Sequence, residues 1–241
     1  MYRISALTLL LLGAAACTNG TDPQATPSPT APPLTAAQER LAELAQAAAT
    51  STYDATYAFS APATKRSGTI RIFSRPPDLR VDVAQQGTRA LYFSTSDGTI
   101  SCTVKPRKQD CFLVAEPGEP VPSTFDPGVQ KLFTDAVAAL AADPAGYDVA
   151  ELADRTKSGA LPAAECFQVD RVVVPSPGTD ATGFEDGQYC FAERGMLTSV
   201  RVQTGTLSLR AIGPVPDNGD FRPPVPPKRL PSLTPTPTPS G

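Results

Sequence analysis

The sequence predicts an α+β fold in which an antiparallel sheet of about ten strands carries two amphipathic helices. Three observations support this class. Large apolar residues alternate with polar ones in many short segments, turn residues separate those segments, and only two segments have apolar residues at helical spacing. Strands that follow one another through tight turns form an antiparallel meander, and two helices cover only part of its apolar face.

Helical spacing of apolar residues occurs in two segments. The first begins at Thr35, which has capping-box spacing to Gln38, and its apolar face comprises Ala37, Leu41, Leu44, Ala45 and Ala48. The second is predicted to begin with Asp126 as N-cap and Pro127 in the first helical position, and to end before Pro144. Its apolar face comprises Val129, Leu132, Phe133, Ala136, Val137 and Leu140.

Strand-like alternation occupies most of the remaining chain. Turn signals at Gln86-Gly87 and Asp97-Gly98 predict hairpins between successive strands. Before the second helix, strands are predicted at about 53–60, 68–74, 79–84, 89–94, 99–104 and 111–114; after it, at about 147–151, 166–173, 188–192, 197–203 and 206–212.

The first residues predict export and lipid attachment. Arg3 precedes an uncharged apolar run over 4–16, which ends in small residues directly before Cys17, as in a bacterial lipobox. We expect cleavage before Cys17 and a diacylglyceryl group on its thiol, which places the protein on the extracytoplasmic face of the cell membrane. The alternative is ordinary signal peptidase, because Ala14 and Ala16 form an A-x-A site whose cleavage releases a soluble protein.

Proline clusters on both sides of the predicted domain and suggests its limits. Residues 1–16 are assigned to the signal peptide, 17–34 to a Pro-rich tether, 35–224 to a single folded domain and 225–241 to an extended Pro/Thr-rich tail.

Four cysteines remain after Cys17 is set aside: Cys102, Cys111, Cys166 and Cys190. An even number suits disulfides in an oxidising compartment, and three pairings are open. We favour Cys102 with Cys111 and Cys166 with Cys190, because each pair lies on strand-like segments that a local connection joins. A metal site is the alternative, but the chain has neither a C-x-x-C motif nor histidine.

The composition argues against catalysis and against nucleic-acid binding. Without histidine there is no Ser-His-Asp or Cys-His site, and the chain lacks S-x-x-K, G-x-S-x-G and P-loop motifs. Asp180, Glu185 and Asp186 cluster, but without the alternate-position spacing of a calcium loop, so a solvated acidic loop is favoured. The net charge of −3 comes without a basic patch. We therefore predict no catalytic residue, metal, cofactor or nucleic-acid partner.

Residues 68–82, GTIRIFSRPPDLRVD, resemble the strand, Arg-Pro turn, strand signature of the LolA-like lipoprotein carrier superfamily, which includes LolA/LolB, RseB-type and LprG/LppX-like bacterial lipoproteins. Asp97-Gly98 matches its next hairpin, and its closing segment is matched by Val215, Pro216, Asp217, Asp220, Phe221 and Pro224. The resemblance covers about 35–224. It implies a curved antiparallel half-barrel wrapped around two or more helices, with an apolar hollow that accepts acyl chains.

On that resemblance, the ligand is a lipid or an acylated molecule, and its expected walls are Tyr57, Phe59, Ile70, Ile72, Val81, Val83, Leu91, Phe93, Leu132 and Phe133. The alternative for each of these residues is ordinary core packing, since alternation does not reveal a void. The corresponding alternative for the protein is an anchored interaction or sensor module whose core is filled and which docks to a partner protein.

Overall fold

A computed structural model describes residues 33–153, 161–172 and 184–230. Over these residues, twelve strands form a single sheet and two α-helices lie against one of its faces, so the α+β class is confirmed. The sheet is open, which is consistent with a half-barrel.

The helices are α1, Ala36–Thr50, and α2, Asp135–Ala142, with short 3₁₀ helices at Pro62–Thr64, Val129–Leu132 and Pro144–Gly146. The first six strands are β1 Tyr53–Ala61, β2 Arg66–Arg75, β3 Asp78–Gln85, β4 Thr88–Thr95, β5 Gly98–Lys105 and β6 Lys108–Ala115. The last six are β7 Tyr147–Leu152, β8 Ala164–Arg171, β9 Gly187–Ala192, β10 Leu197–Val202, β11 Gly205–Ile212 and β12 Lys228–Arg229.

The strand order is β12-β6-β5-β4-β3-β2-β1-β11-β10-β9-β8-β7. Neighbouring strands are antiparallel, except that β12 runs parallel to β6. Two meanders therefore meet in the middle, where β1 pairs with both β2 and β11. This pairing places the beginning of β1 beside the end of β11, with Ala55 opposite Ile212.

The predicted strands are found, most of them one or two residues longer at their turns because the hairpins are tight. β6 begins three residues before the predicted Cys111, whereas β8 ends at Arg171 and β10 ends at Val202, before their predicted last residues. Residue 173, the predicted end of β8, lies outside the described residues. β12 is not among the predicted strands, because two residues that lie among prolines show no alternation.

The predicted capping box of α1 is confirmed. The Gln38 amide N–H donates to Thr35 Oγ1 over 3.2 Å, and the Thr35 amide N–H donates to Gln38 Oε1 over 2.7 Å. Gln38 Nε2 also donates to the Tyr147 carbonyl over 2.7 Å, which fixes the beginning of α1 beside β7. Leu41 and Leu44 are buried on the face that contacts the sheet.

The prediction that the second helix begins at Asp126 is wrong. The Asp126 carboxylate accepts hydrogen bonds from the Gly128 amide N–H and from Gln130 Nε2, within a turn that leads into Val129–Leu132. Gly128 has φ +74°, which an α-helix does not accommodate, so α2 begins only at Asp135. An Asp-Pro pair often begins a helix, but at this position it forms a turn.

The core between the sheet and the helices is filled with aromatic rings. Tyr57 and Phe133 have ring centroids 5.4 Å apart, and the Tyr57 hydroxyl donates to the Leu197 carbonyl over 2.8 Å. Phe184 contacts Tyr147 and Tyr189, with centroid distances of 4.9 and 5.2 Å. We call this surface of the sheet the helix-side face and the opposite surface the outer face.

The outer face carries a buried charged network. Asp82 accepts from Arg80 Nε over 2.8 Å and from Arg89, while the Arg80 guanidinium lies 4.6 Å from the Phe73 ring centroid. Arg80 also donates to the Asp220 carbonyl over 2.6 Å. The Arg75 guanidinium carbon lies 4.6 Å from the Phe221 ring centroid. This contact holds the segment after β11 against this part of the sheet.

The predicted disulfide pairing is confirmed. Cys102 and Cys111 are directly opposite on β5 and β6, and Cys166 and Cys190 are directly opposite on β8 and β9. Each bond therefore joins neighbouring strands.

Candidate binding groove

Eight of the ten predicted wall residues belong to the helix-side core or pack against it. These eight are Tyr57, Phe59, Ile70, Ile72, Val81, Val83, Leu132 and Phe133. Tyr57, Ile72 and Val81 are completely buried. Most of them are therefore buried between the sheet and the helices, while Val81 and Val83 also line a cavity of about 280 Å³.

Leu91 and Phe93 do not belong to the helix-side core. Tyr92 lies opposite Val81 and belongs to the helix-side core, so its two neighbours in β4 point to the outer face. There Leu91 and Phe93 pack with the Cys102–Cys111 disulfide. Leu91, Tyr92 and Phe93 are all large and apolar, so alternation in the sequence does not show which of them faces the helices.

A groove of about 890 Å³ lies at the end of the helix-side face. It is formed by the end of α1, the beginning of β1, the turn between β9 and β10 and the chain that leaves β11. Its apolar wall comprises Ala47, Tyr53, Pro162, Ala192, Met196, Ile212 and Val215, and its polar rim comprises Thr50, Ser51, Thr52, Glu193 and Arg194.

Some of the apolar side chains that line the groove are exposed to solvent. Among the described residues, three large hydrophobic side chains are exposed: Val172 at 62%, Ile212 at 50% and Val215 at 74%. Ile212 and Val215 both line the groove. Exposed apolar groups gathered beside a concave surface with a polar rim are typical of a site for an apolar ligand or partner.

Tyr53 lines the groove as a neutral phenol. Burial raises the pKa of Tyr53 well above its usual value, so its hydroxyl stays protonated at physiological pH. The apolar wall therefore carries no charge at this position.

The turn between β9 and β10 is fixed against the end of α1. The Ser51 hydroxyl contacts both the Arg194 carbonyl and the Ala47 carbonyl, the latter at 2.8 Å. Gly195 has φ +79°, and a Cβ atom there would overlap the Ala48 nitrogen and the Leu44 carbonyl oxygen. The groove thus has a rigid wall at this end.

We expect Gly195→Ala to lower the free energy of unfolding by about 3 kcal/mol, because a methyl group meets helix backbone in a conformation that suits glycine. Urea unfolding followed by circular dichroism measures this change. Gly87→Ala is the matched control: Gly87 has φ +78° with no atom within 4 Å of the added Cβ, so only the backbone cost of about 1 kcal/mol remains. Equal losses in the two variants would contradict the packing explanation.

Two carboxylates of the acidic cluster, those of Glu185 and Asp186, accept hydrogen bonds from the protein backbone. Glu185 accepts from the Thr204 amide N–H over 3.2 Å, Asp186 accepts from the Arg171 amide N–H over 3.1 Å, and Asp180 lies outside the described residues. In the described part of the chain, histidine, cysteine, aspartate and glutamate form no group of three that could hold a metal ion. Nor do the described ranges include a helix long and apolar enough to cross a membrane.

Comparisons with protein-family models and with curated proteins find no match for this chain.

The groove has no signal in the sequence, because many of its residues lie at the ends of helices and strands or in the loops between them. Ile212 is the last residue of β11, and Val215 follows it in a loop, where alternation gives no signal. The sequence feature that includes Val215 is the closing segment of the LolA-like resemblance.

Proposed function

We propose that this protein is an extracytoplasmic lipoprotein that binds a lipid or an acylated molecule without catalysis. The observation that carries the proposal is the groove, where Ile212 and Val215 are exposed on one apolar wall. In this proposal, Cys17 anchors the chain and 17–34 serves as a tether. The groove then operates beside a membrane that contains its ligands.

The groove suits an acyl chain in size and in chemistry. Its volume of about 890 Å³ falls in the usual range for small-molecule sites, which is about 300–1,000 Å³. Each methylene that leaves water contributes about 0.8 kcal/mol, so affinity grows with chain length and requires no reactive group. The polar rim, including Arg194, lies where a polar head group would meet water.

The proposal changes the position of the ligand relative to the one that the resemblance implies. Most of the expected wall residues are buried between the sheet and the helices, so the ligand is assigned to the larger groove at the end of the helix-side face. The open sheet with both helices on one face supports a curved half-barrel of the LolA-like kind. The curvature of the sheet and the membership of the LolA-like superfamily are both part of the proposal.

A second candidate is an anchored interaction or sensor module that binds no lipid. The aromatic packing around Phe133 and Phe184 favours it, because a filled core is what such a module requires. In that case the groove receives an apolar side chain from a partner protein.

Binding of a fluorescent fatty acid to the delipidated protein distinguishes the two candidates. We expect saturable binding to the wild type and at least a tenfold weaker affinity in the double variant Ile212→Asn/Val215→Asn, because polar side chains replace the exposed apolar wall. Val172→Asn is the matched control, since Val172 is equally exposed but does not line the groove.

Native mass spectrometry of freshly purified protein provides a second measurement, in which co-purifying lipid is expected for the wild type and not for the double variant. The absence of both lipid and fatty-acid binding in the wild type would exclude the carrier function and leave the interaction module.

A further inference from the structure

The two disulfides are covered to different degrees. Cys102 and Cys111 are 2% and 1% exposed, whereas Cys166 and Cys190 are both 7% exposed. The apolar side chains that pack with the first pair are Leu91, Phe93, Ile100, Val104, Leu113 and Val225. In the described part of the chain, those that pack with the second pair are Leu152 and Ala164. Cys166–Cys190 is therefore the more accessible of the two bonds.

Cys166 and Cys190 line a cavity of about 260 Å³ on the outer face of the sheet. Their neighbours in sequence, Phe167, Tyr189 and Phe191, belong to the helix-side core, so alternation directs both cysteine side chains to the outer face. The other residues that line the cavity are Leu152, Ala153, Gln188, Ser199 and Arg201. The disulfide thus borders a space that a small molecule can enter.

Cys102 also borders a cavity, the one of about 280 Å³ that reaches Val81 and Val83. That cavity lies on the helix-side face, because Val81 and Tyr92 belong to the helix-side core. The Cys102 side chain points to the outer face, where it packs with Leu91. Its sulfur is therefore on the opposite side of the sheet from this cavity.

The pairing of the strands places the two sulfurs of Cys166–Cys190 in different surroundings. Leu152 lies directly opposite Cys166 on β7, and Ser199 lies directly opposite Cys190 on β10. A thiolate attacks one sulfur of a disulfide and displaces the other, so it approaches from the side away from the sulfur that leaves. The Leu152 side chain covers the approach to Cys166. The approach to Cys190 passes the small Ser199 side chain.

Polar groups surround the approach to Cys190. Arg201 follows Ser199 by two residues and lies directly opposite Gln188, so it is diagonal to Cys190. Diagonal neighbours are about 7–8 Å apart, a distance that an arginine side chain spans. Among the described residues, no side chain pairs with the Arg201 guanidinium, the Gln188 amide or the Ser199 hydroxyl. A cation with two hydrogen-bonding groups beside it attracts an anion such as a thiolate.

We infer that Cys166–Cys190 is a thiol-exchange site, which a small anionic thiol attacks at Cys190. The incoming sulfur forms a bond to Cys190 Sγ as the Cys166–Cys190 bond breaks, and the electron pair of that bond leaves on Cys166 as a thiolate. A second small thiolate then attacks its own sulfur in the mixed disulfide, which releases the oxidised small thiol and leaves Cys190 as a thiolate. Two electrons pass from the small thiols to the disulfide, and solvent supplies a proton to each cysteine. This site is independent of the proposed lipid binding.

The test is the reaction of the oxidised full-length protein with 2-mercaptoethanesulfonate, in the Cys17→Ala form so that no other thiol takes part. Samples are quenched and alkylated at successive times, and the cysteine peptides are identified by mass spectrometry. We expect the initial rate at Cys166–Cys190 to exceed that at Cys102–Cys111 by about tenfold or more, because access controls the exchange. We also expect the first adduct on Cys190. Equal initial rates, or a first adduct on Cys166, would overturn the inference.

Two variants test the role of the cation in the cavity. Arg201→Gln is expected to slow the reaction of Cys166–Cys190 with 2-mercaptoethanesulfonate by about threefold or more, and Arg201→Lys is expected to retain the wild-type rate. Cysteamine, whose ammonium group cancels the thiolate charge, is expected to react with Arg201→Gln nearly as fast as with the wild type. Comparing each thiol with itself removes its intrinsic reactivity.

Arg210→Gln is the matched control, because Arg210 is an exposed arginine on β11 that does not line the cavity. Its rate with 2-mercaptoethanesulfonate is expected to equal that of the wild type. An Arg201→Gln variant that reacts with this thiol as fast as the wild type, or that loses as much rate with cysteamine, contradicts the inference.

Discussion

Cys17→Ala is expected to transfer the protein from the membrane fraction to the soluble extracytoplasmic fraction almost completely. Cys17 is the residue whose thiol receives the proposed diacylglyceryl group, and two acyl chains are what stable anchoring requires. Ala14 and Ala16 remain, so ordinary signal peptidase can still cleave the exported chain. Fractionation with immunoblotting measures the distribution, and mass spectrometry of the N-terminal peptide detects the lipid.

Thr18→Ala is the matched control, since it changes the next residue and leaves the lipobox cysteine in place. It is expected to stay in the membrane fraction with an acylated N-terminal peptide. A Cys17→Ala variant that stays membrane-bound, or a wild-type peptide that begins at Cys17 without acyl groups, would contradict the anchor and favour the secreted form.

Asp82→Ala is expected to lower the free energy of unfolding by about 3–5 kcal/mol. Asp82 is buried on the outer face and takes two hydrogen bonds from Arg80, at 2.8 and 2.9 Å. Arg80 itself is largely enclosed between the sheet and the segment that contains Asp220. Removal of the carboxylate leaves a largely enclosed cation without its counter-charge, and loss of one partner of an enclosed ion pair is strongly destabilising. Urea unfolding at neutral pH measures the loss.

Two comparisons control this experiment. Glu151→Ala removes a solvent-exposed carboxylate near the end of β7 and is expected to change the free energy of unfolding by less than about 0.5 kcal/mol. Arg89→Ala removes the more exposed cation of the network, so its effect is expected to lie between those of the other two. An Asp82→Ala variant as stable as Glu151→Ala would show that the network contributes little.

Much of the fold could be predicted from the sequence because its signals are local. Alternation and tight turns located the strands, and Thr35 with Gln38 located the first helix. The disulfide pairing followed from the same local reasoning, because Cys102 and Cys111 are separated by one hairpin.

The parts that were not predicted depend on tertiary contacts or on the choice between two local structures. β4 has large apolar residues on both faces. Which face Tyr92 shares with the helices, and which face Leu91 takes, therefore depends on the elements that cover each side of the sheet. Asp126 and Pro127 suit a helix and a turn equally, and the turn forms here. The groove requires β11 to pair with β1, a contact between distant segments that no periodicity encodes.

The positions of the disulfides in the strand order have a consequence for how the sheet opens. Over the described ranges, each bond joins the second and third strands counted from an end of the sheet. Fraying of an open sheet starts at its outermost strand and advances inward. The covalent links interrupt that advance at both margins, so partial unfolding of the oxidised protein can detach β12 or β7 while each linked strand stays tied to the next.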